Sequence, residues 1–205
     1  MISVKLRNIT KYYGERRVFE GICAEALPGS ALAVIGRNGS GKSTLLRIIA
    51  GLARPTSGDV VIEDDGRALS PAERRNTIGF VAPDLCLYDE LTAVENLAFF
   101  ARVRGLRRSE KDMTGLVARV GLEGRENEQL ASYSSGMRQR MKYAFALLHD
   151  PAILLLDEPG ANLDAAGIEL VEEIVQDHRK RGVLILATND AREAEYGDKA
   201  IDLGL

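Results

Sequence analysis

Apolar and polar residues alternate along this chain with two different periods. Residues 4–9 alternate apolar and polar, the pattern of a half-buried strand. Residues 31–35, 153–156 and 183–187 are continuous apolar runs of strand length, as in strands covered on both faces. Residues 60–62, 77–81 and 199–203 predict three more strands, with turns at Pro28-Gly29 and at 55–58 and a stop at Pro83. Between these runs, Leu45, Ile48, Ile49 and Leu52 recur at helical spacing, and a longer helix is predicted over 165–180. From about residue 91 to 148 the pattern is mostly helical. Val94, Leu97, Ala98 and Ala101 make one apolar stripe, and Leu116, Val117 and Val120 begin a second. The expectation is an α/β fold: a mainly parallel sheet core over 1–82 and 150–205, with an N-terminal antiparallel β part and an inserted helical subdomain over 83–149.

Composition narrows the function classes. The 205 residues are 45% hydrophobic and 28% charged, a globular balance that excludes wholesale disorder. With 27 basic and 30 acidic side chains, the net charge of −3 argues against a protein that holds nucleic acid by bulk charge, so no nucleic-acid partner is expected. Cys23 and Cys86 lack metal-ligand spacing and are expected to be small buried apolar residues in a reducing compartment. No apolar run approaches the ~18 residues of a spanning helix, and the N-terminus has no signal layout. The protein is therefore expected in the cytoplasm, reaching any membrane through a partner.

Two motifs carry the chemistry. Gly36-Arg37-Asn38-Gly39-Ser40-Gly41-Lys42-Ser43-Thr44 follows a buried strand and opens a helix, the context of a phosphate-binding loop and hence of a P-loop NTPase. Its glycines let backbone N–H groups turn toward phosphate oxygens, and the helix N-terminus adds partial positive charge. Lys42 is placed for the β- and γ-phosphates, and the Ser43 hydroxyl for Mg²⁺. The run 153–156 ends in Asp157-Glu158, two carboxylates at the edge of a parallel sheet where ligands bind. Asp157 is the candidate Mg²⁺ partner and Glu158 the group to orient or deprotonate an attacking water.

A third element specifies the family. Tyr133-Ser134-Ser135-Gly136-Met137-Arg138-Gln139-Arg140 precedes a helix with Met141, Ala144, Phe145 and Leu148 on one face, and Glu158-Pro159 leads to Asn162-Leu163-Asp164. Together with the phosphate loop, this arrangement resembles the ATP-binding subunit of ABC transporters over nearly the whole chain. The resemblance implies that the cofactors are ATP and Mg²⁺ and that Tyr13 stacks on adenine. It implies that residues 36–44 and 157–158 are Walker A and the end of Walker B. Ser134 and Gly136, in the signature motif, would contact the γ-phosphate of a nucleotide held by another subunit, with Asp164 in the D-loop of the dimer interface. The expected activity is ATP hydrolysis driven by dimer closure.

This sequence departs from the family pattern at four positions. Pro83 stands where the Q-loop has glutamine, Asn189 where the switch has histidine, Ser135 for a signature glycine and Met137 for the signature glutamine. Asn189 can still donate to a γ-phosphate but carries no proton charge, so hydrolysis is expected to be slow. The partners implied are a second copy or a paralogous ATPase subunit, and integral membrane permease subunits that place the protein on the cytoplasmic face of the inner or plasma membrane. The permease groove would lie over residues 83–105. Leu85, Leu87, Tyr88, Leu91, Phe99 and Phe100 are its candidates, although most such side chains are expected in the core. Arg102, Arg104, Arg107 and Arg108 are expected in a solvated loop. The short C-terminal part and the form of the signature look like exporter-type subunits, a group that includes the haem-exporter ATPase of cytochrome c maturation. An ATPase serving as an assembly scaffold remains the alternative.

Overall fold

The computed structural model describes residues 1–204. Two sheets organise it. Strands β1 (Ile2–Tyr13), β2 (Arg16–Ala26), β4 (Ser57–Asp64) and β5 (Arg67–Ala68) form an antiparallel sheet in the order β2-β1-β4-β5. Strands β3 (Ala31–Ile35), β6 (Ile78–Val81), β7 (Ile153–Asp157), β8 (Val183–Thr188) and β9 (Lys199–Asp202) form a parallel sheet in the order β6-β7-β8-β3-β9. The expected parallel core and antiparallel part are both present.

The parallel strands are apolar throughout because both their faces are covered. Leu32, Val34, Ile153, Leu155, Val183 and Ile185 point toward the antiparallel sheet and helix α1 (Lys42–Ile49). Their neighbours Ala33, Leu154, Leu156, Leu184 and Leu186 point to the other side. There they meet α6 (Ala165–Arg179) and α3 (Ala93–Val103), α4 (Glu110–Arg119) and α5 (Ser135–Leu147), the helices of the inserted segment. A short α2 (Pro71–Thr77) precedes β6 and a single-turn α7 (Ala191–Ala194) follows β8. Helices α2, α3 and α4 each begin with a reciprocal capping box, Ser70 with Glu73, Thr92 with Glu95 and Ser109 with Asp112.

The hydrophobic pattern does not announce β2. This outer strand of its sheet leaves Arg16, Arg17, Glu20 and Glu25 in solvent, so only its pairing with β1 defines it. Cys23 lies on its exposed face and Cys86 on the exposed loop after β6, which corrects the expectation that both are buried. None of the candidate groove residues is fully buried, although Leu87 and Phe100 pack against the core. Leu85, Leu87, Leu91 and Phe100 are half-buried, and Tyr88 and Phe99 are exposed. Tyr88, Phe99, Phe100 and Phe145 form a chain of edge-on rings, with successive centroids 4.7–5.2 Å apart along Tyr88–Phe99–Phe100–Phe145. Of the four arginines expected in a solvated loop, Arg102, Arg107 and Arg108 are exposed and Arg104 is half-buried, and Arg102 lies in the last turn of α3. Arg104 donates to the Arg75 carbonyl at 3.1 Å and Arg108 to the Leu148 carbonyl at 3.0 Å.

Both histidines are structural. His149 Nε2 bonds the Ile78 carbonyl at 2.9 Å and His178 Nε2 bonds the Val183 carbonyl at 3.2 Å. Burial, reinforced by Arg104 and Arg181 respectively, pulls each imidazole down to about 4. The unfolded chain therefore takes up protons at these sites as pH falls below about 6.5, while the folded chain does not until about 4. Urea midpoints are expected to fall between about pH 7 and about pH 5, and the double variant His149→Gln/His178→Gln to show a smaller fall over the same interval. An unchanged pH dependence in the double variant would contradict this assignment.

Candidate active site

The C-terminal tips of β3, β7 and β8 lie side by side, and each carries one part of the site. Behind β3, residues 36–41 wrap into the start of α1, whose N-terminus has no side-chain cap. Its first-turn amides are the ones that lack an intrahelical acceptor, so the helix start can bind an anion. Gly41 begins the helix with φ of 105°, and a Cβ there would come within 2.4 Å of Val18. Only glycine satisfies both the left-handed backbone and that close approach.

A cavity of about 530 Å³ opens over this loop. Its lining includes Tyr13, Asn38, Gly39, Gly41, Lys42, Ser43, Thr44 and Glu158, and it adds Arg16, which sequence reasoning missed. Tyr13 is 57% exposed, with the Lys11 ammonium 4.6 Å from its ring centre, so the ring lies free beside the loop rather than in a core. Gly36 and Ser40 do not line the cavity: Gly36 lines a neighbouring one with Asn38 and Asn189, and the Ser40 hydroxyl is buried without a partner.

The charges beneath the loop are closely spaced. The Lys42 side chain is only 6% exposed. Its Nζ lies 3.2 Å from Glu158 Oε1 and donates to the carbonyls of Gly36 at 2.9 Å and Arg37 at 3.3 Å. Asp157 is buried, and neither of its oxygens has a hydrogen-bond partner. Burial pushes its carboxyl above the usual range; nearby Ser43 pulls the other way but closes no hydrogen bond to it. Two unpaired buried oxygens beside a serine hydroxyl are hard donors suited to Mg²⁺, so these residues fit the ion. Glu158 itself has φ of 50°, a conformation uncommon for a residue with a Cβ, and such strain concentrates at functional sites. Asn189, after β8, donates from Nδ2 to Asn38 Oδ1 at 2.9 Å, which joins the end of β8 directly to the loop before α1.

Ser134, Gly136 and Asp164 are not in that cavity. They line a separate one of about 380 Å³ together with Arg140 and Asn162. Ser134 is exposed at the start of α5 and its hydroxyl accepts from the Met137 amide at 3.2 Å. Tyr133 is a buried plug whose hydroxyl donates to the Arg125 carbonyl at 2.6 Å. Asp164 caps α6 by accepting from the Gly167 amide at 2.9 Å and also accepts from Arg140 at 2.6 Å. Sequence reasoning gives Arg140 no role, although a charged residue next to the α5 apolar stripe is the kind of signal that marks a partnered group. Around Pro83 the loop is held through its backbone. Lys142 of α5 donates to the Pro83 carbonyl at 2.6 Å, and Asp84 pairs with Arg47 of α1 at 3.1 Å.

Comparisons with known proteins identify the family and the fold. The family model described as "ABC transporter" matches residues 19–161. The lantibiotic transport ATP-binding protein SrtF of Streptococcus pyogenes is 33% identical over 186 residues, covering 91% of this chain and 79% of SrtF. The ABC transporter ATP-binding protein NatA of Bacillus subtilis is 36% identical over 168 residues, covering 80% of this chain and 68% of NatA. Among solved structures, the dimeric bacterial ABC transporter cassette MJ0796 superposes with a TM-score of 0.86 at 29% identity, covering 98% of this chain and 94% of that one. Its post-hydrolysis dimer bound to ADP and Pi superposes with a TM-score of 0.84.

The unpaired Asp157 carboxylate makes opposite predictions for stability and for metal binding. Its raised pKa means that the ionised form is disfavoured in the folded chain, so at neutral pH its charge is a cost. Replacing the carboxylate by a neutral amide removes the cost of burying an unpaired charge, and each kcal/mol so recovered shifts the midpoint by about 2–4 °C at this chain length. Asp157→Asn is therefore expected to raise the melting temperature of the nucleotide-free protein while abolishing its magnesium-dependent stabilisation by ATP. Scanning calorimetry with and without magnesium checks both signs.

Proposed function

The chain belongs to the ABC transporter family as an ATP-binding subunit, an ATPase whose hydrolysis of ATP is coupled to transport, and from that premise we propose a division of labour among its residues. Adenine stacks on Tyr13. The phosphates lie along the amides of residues 36–44, with Asn38, Gly39, Ser40 and Thr44 shaping the loop and Lys42 neutralising the β- and γ-phosphates. Ser43 and Asp157 would hold Mg²⁺, which when bound would offset negative charge on the phosphate oxygens. Glu158 orients a water against the γ-phosphorus and accepts its proton as the bond to the β–γ bridging oxygen breaks. Asn189 donates to the departing γ-phosphate in place of a histidine.

One observation carries the dimeric form of this reading: the phosphate loop and the signature residues occupy separate cavities on one chain. Each is half a site. Ser134 and Gly136 present a hydroxyl, a small residue and a helix N-terminus, a good anion cap for a nucleotide seated on a second copy or a paralogous subunit. The Asp164–Arg140 pair fixes the D-loop against the signature helix, so the two reach the partner as a unit. Closure excludes water from the reacting phosphate, and loss of the γ-phosphate releases the pair.

Coupling to membrane permease subunits is assigned to a cavity of about 580 Å³ between α1, the Pro83 loop and α3. Leu52 and Val103 on its rim are 70% and 68% exposed, and Arg47, Arg75 and Arg104 line it. An amphipathic helix with an acidic residue fits such a surface. This docking would bring the protein to the cytoplasmic face of the membrane; among the described residues no helix is long and apolar enough to cross one.

Two measurements test the reading. Glu158→Gln is expected to lower turnover by about 10²-fold or more and to trap a dimer with ATP on size exclusion. Wild-type turnover in that variant would refute the role of Glu158. Val103→Asp is expected to release the subunit from its membrane partner in co-purification while the purified subunit still binds magnesium nucleotide. Retention of the partner would refute the docking surface.

A further inference from the structure

The peptide unit that joins Pro159 to Gly160, immediately after Glu158, is gripped at both ends. Its carbonyl accepts from the Tyr143 hydroxyl at 2.7 Å, and its N–H donates to Glu193 Oε1 at 2.7 Å. Tyr143 lies on α5, the helix that Ser134 caps, and its side chain is fully buried. Glu193 lies on α7, beyond the switch residue. The other Glu193 oxygen accepts from the Thr188 hydroxyl, whose oxygen in turn accepts from the Asp190 amide at 2.9 Å. Thr188 and Asp190 flank Asn189. A Cβ at Gly160 would sit 2.5 Å from Glu193 Oε1, so any other residue there would displace the Glu193 carboxylate.

We infer that Tyr143 and Glu193 act as positioning residues, clamping the Pro159–Gly160 peptide so that Glu158 is held in its left-handed conformation and in register with both the signature helix and Asn189. The inference rests on the assignment of Glu158 as the residue that handles the attacking water. Physically, a residue at φ of 50° relaxes unless the chain that follows it is fixed. The Glu158 amide is tied to the Ala187 carbonyl at 2.8 Å, which fixes the near side of the residue. The clamped peptide fixes the far side. Neither clamp residue lines the nucleotide cavity, so their effect should fall on the chemical step rather than on binding. Through Tyr143, movement of the signature helix against a partner reaches the backbone beside the catalytic carboxylate through one hydrogen bond.

Steady-state ATPase measurements on Tyr143→Phe, Glu193→Ala and Glu193→Gln, with Glu158→Gln as reference, test this. Loss of one clamp bond is expected to lower kcat by about five- to tenfold with KM for ATP within about twofold of wild type. Glu193→Gln keeps an oxygen for the Gly160 amide and is expected to restore most of the rate lost in Glu193→Ala. Because both groups act on one peptide, the double variant Tyr143→Phe/Glu193→Ala should be slower than either single by less than the product of their effects. Thermal midpoints above the assay temperature separate this from unfolding. Wild-type kcat in Tyr143→Phe and Glu193→Ala beside an inactive Glu158→Gln would overturn the clamp alone. Undiminished turnover in Glu158→Gln would overturn the assignment of Glu158 and the clamp with it. A parallel loss of ATP affinity and kcat would also overturn the clamp.

Discussion

The hydrogen-bonded register of β8 between β7 and β3 is the constraint from which the site follows. Asp157 pairs across from Ala187, and Ile35 from Thr188, so three parallel strands end at one level. All six residues of β8 are buried, and a slip by one residue would turn its apolar side chains to the opposite layer. Burial on both faces thus sets the alignment that brings the phosphate loop, the two carboxylates and Asn189 to the same edge. The ion pair of Lys42 with Glu158 and the contact of Asn189 with Asn38 are consequences of that alignment.

Much of this is legible in the sequence, for a physical reason. Strands covered on two sides need uninterrupted apolar runs, so β3, β7 and β8 stand out to within a residue of their ends. The phosphate loop is legible because its backbone geometry demands glycine at fixed places. Strand β2 is obscured by its solvated side chains, and α2 by its brevity, although Ser70, Pro71 and Glu73 spell a capping box. Contacts that join distant segments are not legible at all. Arg140 with Asp164, Lys142 with Pro83, and Glu193 with Gly160 depend on where helices land, which no local pattern encodes.

The family departures take on physical content in the structure. Proline at 83 offers no side-chain oxygen, but its carbonyl is held by Lys142, whose pKa is lowered by burial. The following Asp84 is paired to α1 through Arg47. The loop between the core and the helical segment is therefore fastened on both sides by charged groups rather than by a single amide. Asparagine at 189 reaches Asn38 with a neutral side chain, so this link does not change charge near neutral pH.

The separation of the two cavities on one chain has a genetic consequence. If each finished site draws its loop from one molecule and its cap from another, the two lesions in a mixed population need not fall on the same site. A chain damaged only at Ser134 and a chain damaged only at Lys42, expressed together, would assemble some pairs in which both defects share one site and the other site is intact. Two inactive alleles would then complement each other within a single oligomer.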